Sequence, residues 1–226
     1  MQIQWYPGHM AKARRMLEEN LKLIDVVVEL VDARAPQATR NPDFDALFSQ
    51  KSRVILLNKS DLASAEQTKK WVEYYKAQNI NAIAFVSTSS AKRKAAVSLI
   101  EAAAADKVAK MKEKGVIKTV RAMVVGIPNV GKSTFINRIA GETKAKVGDK
   151  PGVTKGKQWV KVSPYLELMD TPGLLWPKLE NEALAKHLAY IGSINDDIMD
   201  AERLAADLLG ELIAICPNEL KERYKK

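Results

Sequence analysis

Short runs of aliphatic and β-branched residues alternate along the chain with stretches in which apolar positions recur every three or four residues. The runs predict strands at 25–32 (DVVVELVD), 53–57, 82–87, 119–125, 158–162 and 165–169, the last two meeting at Ser163-Pro164 as a hairpin. Apolar runs of this kind, separated by helical patterns, belong to a largely parallel sheet wrapped by helices. Helical spacing fills the gaps. Met10, Ala13, Leu17, Leu21 and Ile24 mark one face of an amphipathic first helix, whose other face carries Lys12, Arg14, Arg15 and Lys22. Ser64-Ala65-Glu66-Gln67 has capping-box spacing and predicts a helix running to about residue 78. A long Ala-, Lys- and Glu-rich helix is expected over 95–114, stopping at Gly115, where glycine can take left-handed geometry. After Trp176 the strand pattern ends, and 182–191 and 201–215 read as two helices. The chain is therefore expected to be α/β, with a mostly parallel six-stranded sheet over 1–176 and a small helical C-terminal region over 177–226.

Composition narrows the setting. With 226 residues, 46% of them hydrophobic, the chain can bury one good core and a smaller appendage. Its 36 Lys and Arg against 27 Asp and Glu leave a net charge of +9. That surplus fits a polyanionic partner, a solvated basic surface, or charge that offsets a bound triphosphate. Cys216 is the single cysteine, which excludes an intramolecular disulfide or a cysteine-based metal cluster and fits a reducing cytoplasm. The opening MQIQWYPGH has no uninterrupted apolar stretch of the signal-peptide kind. No segment approaches the ~20 apolar residues that span a bilayer, so no integral membrane contact is expected.

The chemistry begins at Gly126-Ile127-Pro128-Asn129-Val130-Gly131-Lys132-Ser133, which matches GxxxxGKS between an apolar strand and a helical segment. Glycines let such a loop bend around phosphates, and its N–H groups meet them at a helix N-terminus. Lys132 is expected to reach the β and γ phosphates, and the Ser133 hydroxyl to ligate Mg²⁺. Asn129, Val130, Gly131 and Thr134 complete the expected phosphate-binding set.

Which nucleotide is bound is decided elsewhere. Asn58-Lys59-Ser60-Asp61 fits NKxD and follows the apolar run RVILL. A carboxylate at Asp61 can accept from the ring N–H and the exocyclic amine of guanine, a donor pair adenine lacks. Lys59 can lay its aliphatic stem along the base, and Asn58 can brace neighbouring loops. Ser87-Thr88-Ser89-Ser90-Ala91 ends another strand at the place of the Ser-Ala pair whose backbone N–H meets guanine O6, with Thr88 in the alanine position. Asp170-Thr171-Pro172-Gly173 matches DxxG: Asp170 would meet Mg²⁺ through water, and Gly173 would sense the γ phosphate. Upstream, Pro151-Gly152-Val153-Thr154 offers Thr154 as the residue that joins the Mg²⁺ shell and the catalytic set. The two loops together describe switches ordered by γ phosphate.

An ordinary GTPase reads P-loop, switch I, DxxG, NKxD, Ser-Ala; this chain reads NKSD, STSS, GIPNVGKS, PGVT, DTPG. The order is circularly permuted. Rotation of this kind keeps each loop at its strand end while opening new termini at a surface connection. It also leads DTPG directly into the C-terminal helices, so nucleotide state is expected to reach them along the chain.

WYPGHMAKA, VDARAPQATRNP, NKSDL, GIPNVGKSTFIN, PGVT and DTPG, spanning about residues 5–177, resemble the circularly permuted ribosome-biogenesis GTPases. The resemblance implies a GTPase, binding GTP and GDP, that engages the precursor of the large ribosomal subunit and its rRNA. Hydrolysis would be stimulated by the subunit at a late assembly step. A monomer is expected. Leu174 stands where many GTPases carry a water-orienting glutamine. The resemblance assigns water activation to His9, whose neutral imidazole can accept a proton near neutral pH; the alternative is a histidine that opens the first helix or contacts rRNA. It also makes Asn129 a K⁺ residue, against the alternative that Asn only tolerates the loop geometry. Such proteins continue through a helical rRNA-contacting domain, so a chain ending KERYKK is expected to carry a short or truncated one. The alternative to the enzyme is a GTP-regulated RNA- or ribosome-binding module with little catalysis.

Overall fold

Seven consecutive residues of the first strand, β1 (Val26–Asp32), are all buried, as expected of a strand covered on both faces. In this computed structural model, which describes residues 8–141, 158–177, 181–194 and 200–224, that strand lies inside a six-stranded sheet. The others are β2 (Ser52–Asn58), β3 (Asn81–Ala84), β4 (Val120–Val125), β5 (Gln158–Ser163) and β6 (Leu166–Asp170). Their order is β3-β2-β1-β4-β6-β5, all parallel except the β5–β6 pair, an antiparallel hairpin with a register shift between Lys161 and Ser163. Parallel alignment brings the C-terminal ends of five strands to one edge. In register, Asp32 at the end of β1 faces Asn58 at the end of β2.

The first helix, α1 (Gly8–Asn20), buries Met10, Ala13 and Leu17, as their spacing predicts. Its basic face is only partly free: Arg14 binds Glu18 at 3.1 Å and Asp43 at 2.6 Å, while Lys12, Arg15 and Lys22 are exposed. Two short helices, α2 (Pro36–Thr39) and α3 (Asp43–Leu47), follow β1 in a stretch for which the periodicity predicted no helix. Each is about one turn long, too short to leave a repeating pattern. In α4 (Ala65–Ala77) the Ser64 hydroxyl accepts from the Gln67 N–H at 3.3 Å, the capping bond its sequence called for. The helix packs Tyr75, Trp71 and Val72 against Val31, Ile55, Leu57 and Ala82.

Two expectations change. The single helix over 95–114 is two, α5 (Arg93–Ala103) and α6 (Ala105–Glu113), broken at Ala104. Ala104 is buried with Ala96 and Ile100, whereas α6 has no fully buried residue and meets the same core through half-buried Val108. Gly115 does end α6 left-handed (φ 72°), with Val116 N–H donating to Met111 O and Gly115 N–H to Lys112 O. The strand expected over 82–87 stops at Ala84; Phe85 N–H still donates to Leu57 O, but beyond it the chain leaves the sheet edge.

Past the phosphate loop, α7 (Lys132–Ala140) buries Phe135, whose ring meets Phe85 edge-on with centroids 5.3 Å apart. In the C-terminal region, α8 (Glu182–Tyr190) buries Ala185, Leu188 and Ala189 in the main core cluster and packs against α2. By contrast, α9 (Ala201–Ile215) buries no residue and joins α8 through polar contacts: Lys186 to Asp207 at 2.7 Å and His187 Nε2 to Glu211 at 3.0 Å. A last helix, α10 (Pro217–Tyr224), follows it, one the apolar spacing did not predict. No described helix is long and apolar enough to cross a membrane.

Candidate functional site

The loops singled out in the sequence meet at the C-terminal edge of the sheet. Glycine makes the phosphate loop possible at two of its positions. Gly126 (φ 150°) could not carry a Cβ, which would lie 2.7 Å from Leu30 O, and a Cβ on Gly131 (φ 101°) would lie 2.5 Å from Asn58 Nδ2. Between them Asn129 adopts left-handed geometry, φ 58°, of which asparagine is unusually tolerant.

Lys132 opens α7 and is folded back under the loop, its Nζ donating to Gly126 O at 3.2 Å and Ile127 O at 2.8 Å. Burial lowers its pKa to about 8, partly opposed by the negative charge of Asp170. A cation kept this dry is poorly compensated, so a phosphate delivered to the loop would relieve it. The Ser133 hydroxyl donates to Asp170 Oδ2 at 2.8 Å, bringing the loop and the end of β6 together. Hydroxyl and carboxylate oxygens are the donors Mg²⁺ takes, so this pair fits the ion that P-loop GTPases use. Bound there, the ion would neutralise phosphate charge. Among the described residues, no group of three or more His, Cys, Asp or Glu is placed to hold a metal by protein ligands alone.

Asn58 ties three loops. Its Nδ2 donates to Val130 O at 2.8 Å, and its Oδ1 accepts from the Ser87 N–H at 3.0 Å and from Ser87 Oγ at 2.9 Å. Lys59, left-handed at φ 57°, donates from Nζ to Asn129 O at 2.9 Å. Ser60 Oγ donates to Phe85 O at 3.0 Å, and Asp61 is exposed on the short 3₁₀ turn Ser60–Leu62. Thr88 is exposed, and its carbonyl accepts from Arg138 Nη2 at 2.6 Å. Val130 is fully buried and Thr134 half-buried.

The DTPG loop lies directly on the phosphate loop. A Cβ at Gly173 would sit 2.6 Å from Pro128 N and 2.7 Å from Pro128 Cα, and Leu174 N–H donates to Gly126 O at 3.2 Å. Thr171 Oγ1 anchors the loop from below through Val124 O at 2.6 Å. Two expected residues are not placed: Thr154 lies outside the described residues, and so does the His9 side chain, although His9 stands in the first turn of α1. Asp32 and Arg34, from the VDAR stretch, and Arg138 were not expected to take part. Asp32 and Arg34 could have been suspected from charges at and just past the end of a mostly apolar strand.

The family described as 50S ribosome-binding GTPase matches residues 121–215. Fold and motif order together make the chain a P-loop GTPase, a GTP-hydrolysing enzyme, in circularly permuted order. It is 50% identical to ribosome biogenesis GTPase A of Priestia megaterium over 99% of its own length and 78% of that protein. To the Thermotoga maritima protein of the same name it is 39% identical, over 89% of this chain and 70% of that one. Among solved structures it is similar to GNP-bound YlqF from T. maritima, with a TM-score of 0.64 and 33% identity over 90% of this chain and 75% of the other. The chain belongs to the ribosome biogenesis GTPase A family and is a GTPase of ribosome biogenesis.

Replacing Gly173 by Ala forces a methyl into the Pro128 backbone. Overpacking of this kind is expected to destabilise the nucleotide-free chain by about 1–3 kcal/mol in urea unfolding and to weaken binding of a fluorescent GDP analogue. Wild-type values for both would show that the two loops do not need this approach.

Proposed function

We propose that this chain acts as a monomer in the cytoplasm at a late step in assembly of the large ribosomal subunit, binding the subunit precursor and its rRNA and hydrolysing GTP when stimulated by it. The observation that carries this reading is Leu174. Its side chain is buried at 2% exposure and its N–H is committed to Gly126 O, so this position supplies packing where many GTPases place a water-orienting glutamine. Hydrolysis by the free chain is then slow, and the missing group is completed by docking. His9 at the start of α1 is the group we assign to water activation. The exposed Lys12, Arg15 and Lys22, with Lys221 and Arg223 on α10, give the rRNA its basic contacts.

The remaining roles follow from the site. Asp61 reads the guanine edge, with Lys59 along the base and Asn58, Ser60, Ser87 and Thr88 shaping the pocket. Asn129, Val130, Gly131, Lys132, Ser133 and Thr134 hold the phosphates, and Lys132 stabilises the charge that develops on them. Ser133, Thr154 and, through water, Asp170 hold Mg²⁺. K⁺ is the second cation of this reading. Asn129, whose amide nitrogen donates to Gly192 O at 2.7 Å, is the residue this reading assigns to it. That bond also favours coupling: phosphate loop, Gly173 and the turn after α8 are in direct contact, so a switch movement would be felt in the C-terminal helices.

GTP turnover measured in KCl with and without purified large subunits tests the proposal. Stimulation of at least about 10-fold is expected, lost in His9→Ala and much reduced in NaCl, since partial replacement of an arginine finger is worth a fraction of 10³–10⁵. No response to subunits would overturn it. The coupling has its own readout: hydrogen exchange in α8 and α9 should differ between GDP and GTP-analogue states, and equal protection would remove it.

A further inference from the structure

Asp32 is fully buried at the end of β1 and carries a carboxylate that the roles above do not use. Its Oδ1 accepts from Arg34 Nε at 2.9 Å and from the Arg34 N–H at 3.0 Å, and its Oδ2 accepts from Arg34 Nη2 at 2.7 Å. Oδ2 is also 3.0 Å from Lys59 Nζ. Burial by itself would push this carboxyl up; Arg34 and Lys59 outweigh it and hold the group below the usual range, so it stays charged.

The same ammonium of Lys59 donates to Asn129 O at 2.9 Å, so one end of a long, flexible side chain is fixed at two points, the end of β1 and the phosphate loop. Its backbone is held left-handed, a geometry that a β-carbon disfavours. Left to itself, such a side chain would sample many rotamers, and ordering it when a ligand arrives would weaken binding. Arg34, with 28% of its side chain exposed, has its pKa raised first by the hydrogen bonds to Asp32 and the charge of that carboxylate, and least by the charge of Asp61. One buried anion therefore orders two cations on the side of the cleft that reads the base.

We propose that Asp32 is a positioning residue for guanine nucleotide: it acts through Lys59 and Arg34, setting how long the nucleotide stays. This rests on the reading of Asn58-Lys59-Ser60-Asp61 as the guanine site. Because Asp32 acts through side chains already in place before the ligand arrives, its loss should appear in dissociation more than in association.

The test is stopped-flow release of a fluorescent GDP analogue from the full chain. Asp32→Asn is expected to speed release by about 10-fold, and by under about 3-fold when introduced into Lys59→Met, because the group through which it acts is gone. A purely structural injury would instead add its full effect in both backgrounds. Wild-type release from Asp32→Asn, or full additivity with Lys59→Met, overturns the proposal. Should Asp32→Asn fail to fold, Arg34→Gln carries the test, with release about 3-fold faster expected and wild-type release contradicting it. Asp61→Asn, run in parallel against GDP and XDP, separates the underlying reading. A shift toward XDP upholds the guanine site whatever Asp32 does, and unchanged preference removes that site and this proposal together.

Discussion

The site depends on the side chain of Asn58. It is buried at the end of a central strand, with its donor committed to the phosphate loop and its acceptor to Ser87. An amide placed there has no solvent to fall back on, so each bond it makes fixes a backbone that would otherwise move. Gly131 is the corollary: a Cβ at that position would occupy the space of the Asn58 amide, so the glycine that lets the loop bend also lets the NKSD turn reach it. The phosphate loop, the NKSD turn and the Ser87 loop are thus joined by hydrogen bonds through one side chain. Preorganisation of this kind leaves less ordering to be done on binding.

That object is indifferent to the order in which the chain visits it. Parallel strands place their C-terminal ends on one edge regardless of connection, so rotating the sequence leaves the loops where they were. What rotation changes is the neighbours along the chain. DTPG runs on into the helices that follow it, while α1 precedes β1 and packs with Met10, Ala13 and Leu17 on the main core. The segment with His9 leads into the first strand of the sheet, and the segment after Gly173 leaves its last, with Leu174 and Leu175 buried in the core.

Much of this was legible because the signals were dense. Six strands, the capping of α4 by Ser64 and the stop at Gly115 each had a local cause: an apolar run, an oxygen at the right spacing, a residue that accepts positive φ. The break at Ala104 was not legible, since alanine favours helix and nothing in the local sequence marks a stop there. Nor were α2 and α3, at one turn each. In the site, the motifs identified which loops would converge, but the Asn129–Gly192 bond and the Asp32 pairs join residues far apart or of ordinary type. Such links exist only once the sheet has brought them together.

In the proposed function Asn58 holds the loops in place for the nucleotide. Affinity for GDP, measured by calorimetry on Asn58→Ala and wild type with folding verified by near-UV circular dichroism, addresses it most directly. Three buried hydrogen bonds worth about 1 kcal/mol each predict a loss on the order of 100-fold in a chain that still folds. A folded Asn58→Ala chain with wild-type affinity would contradict it.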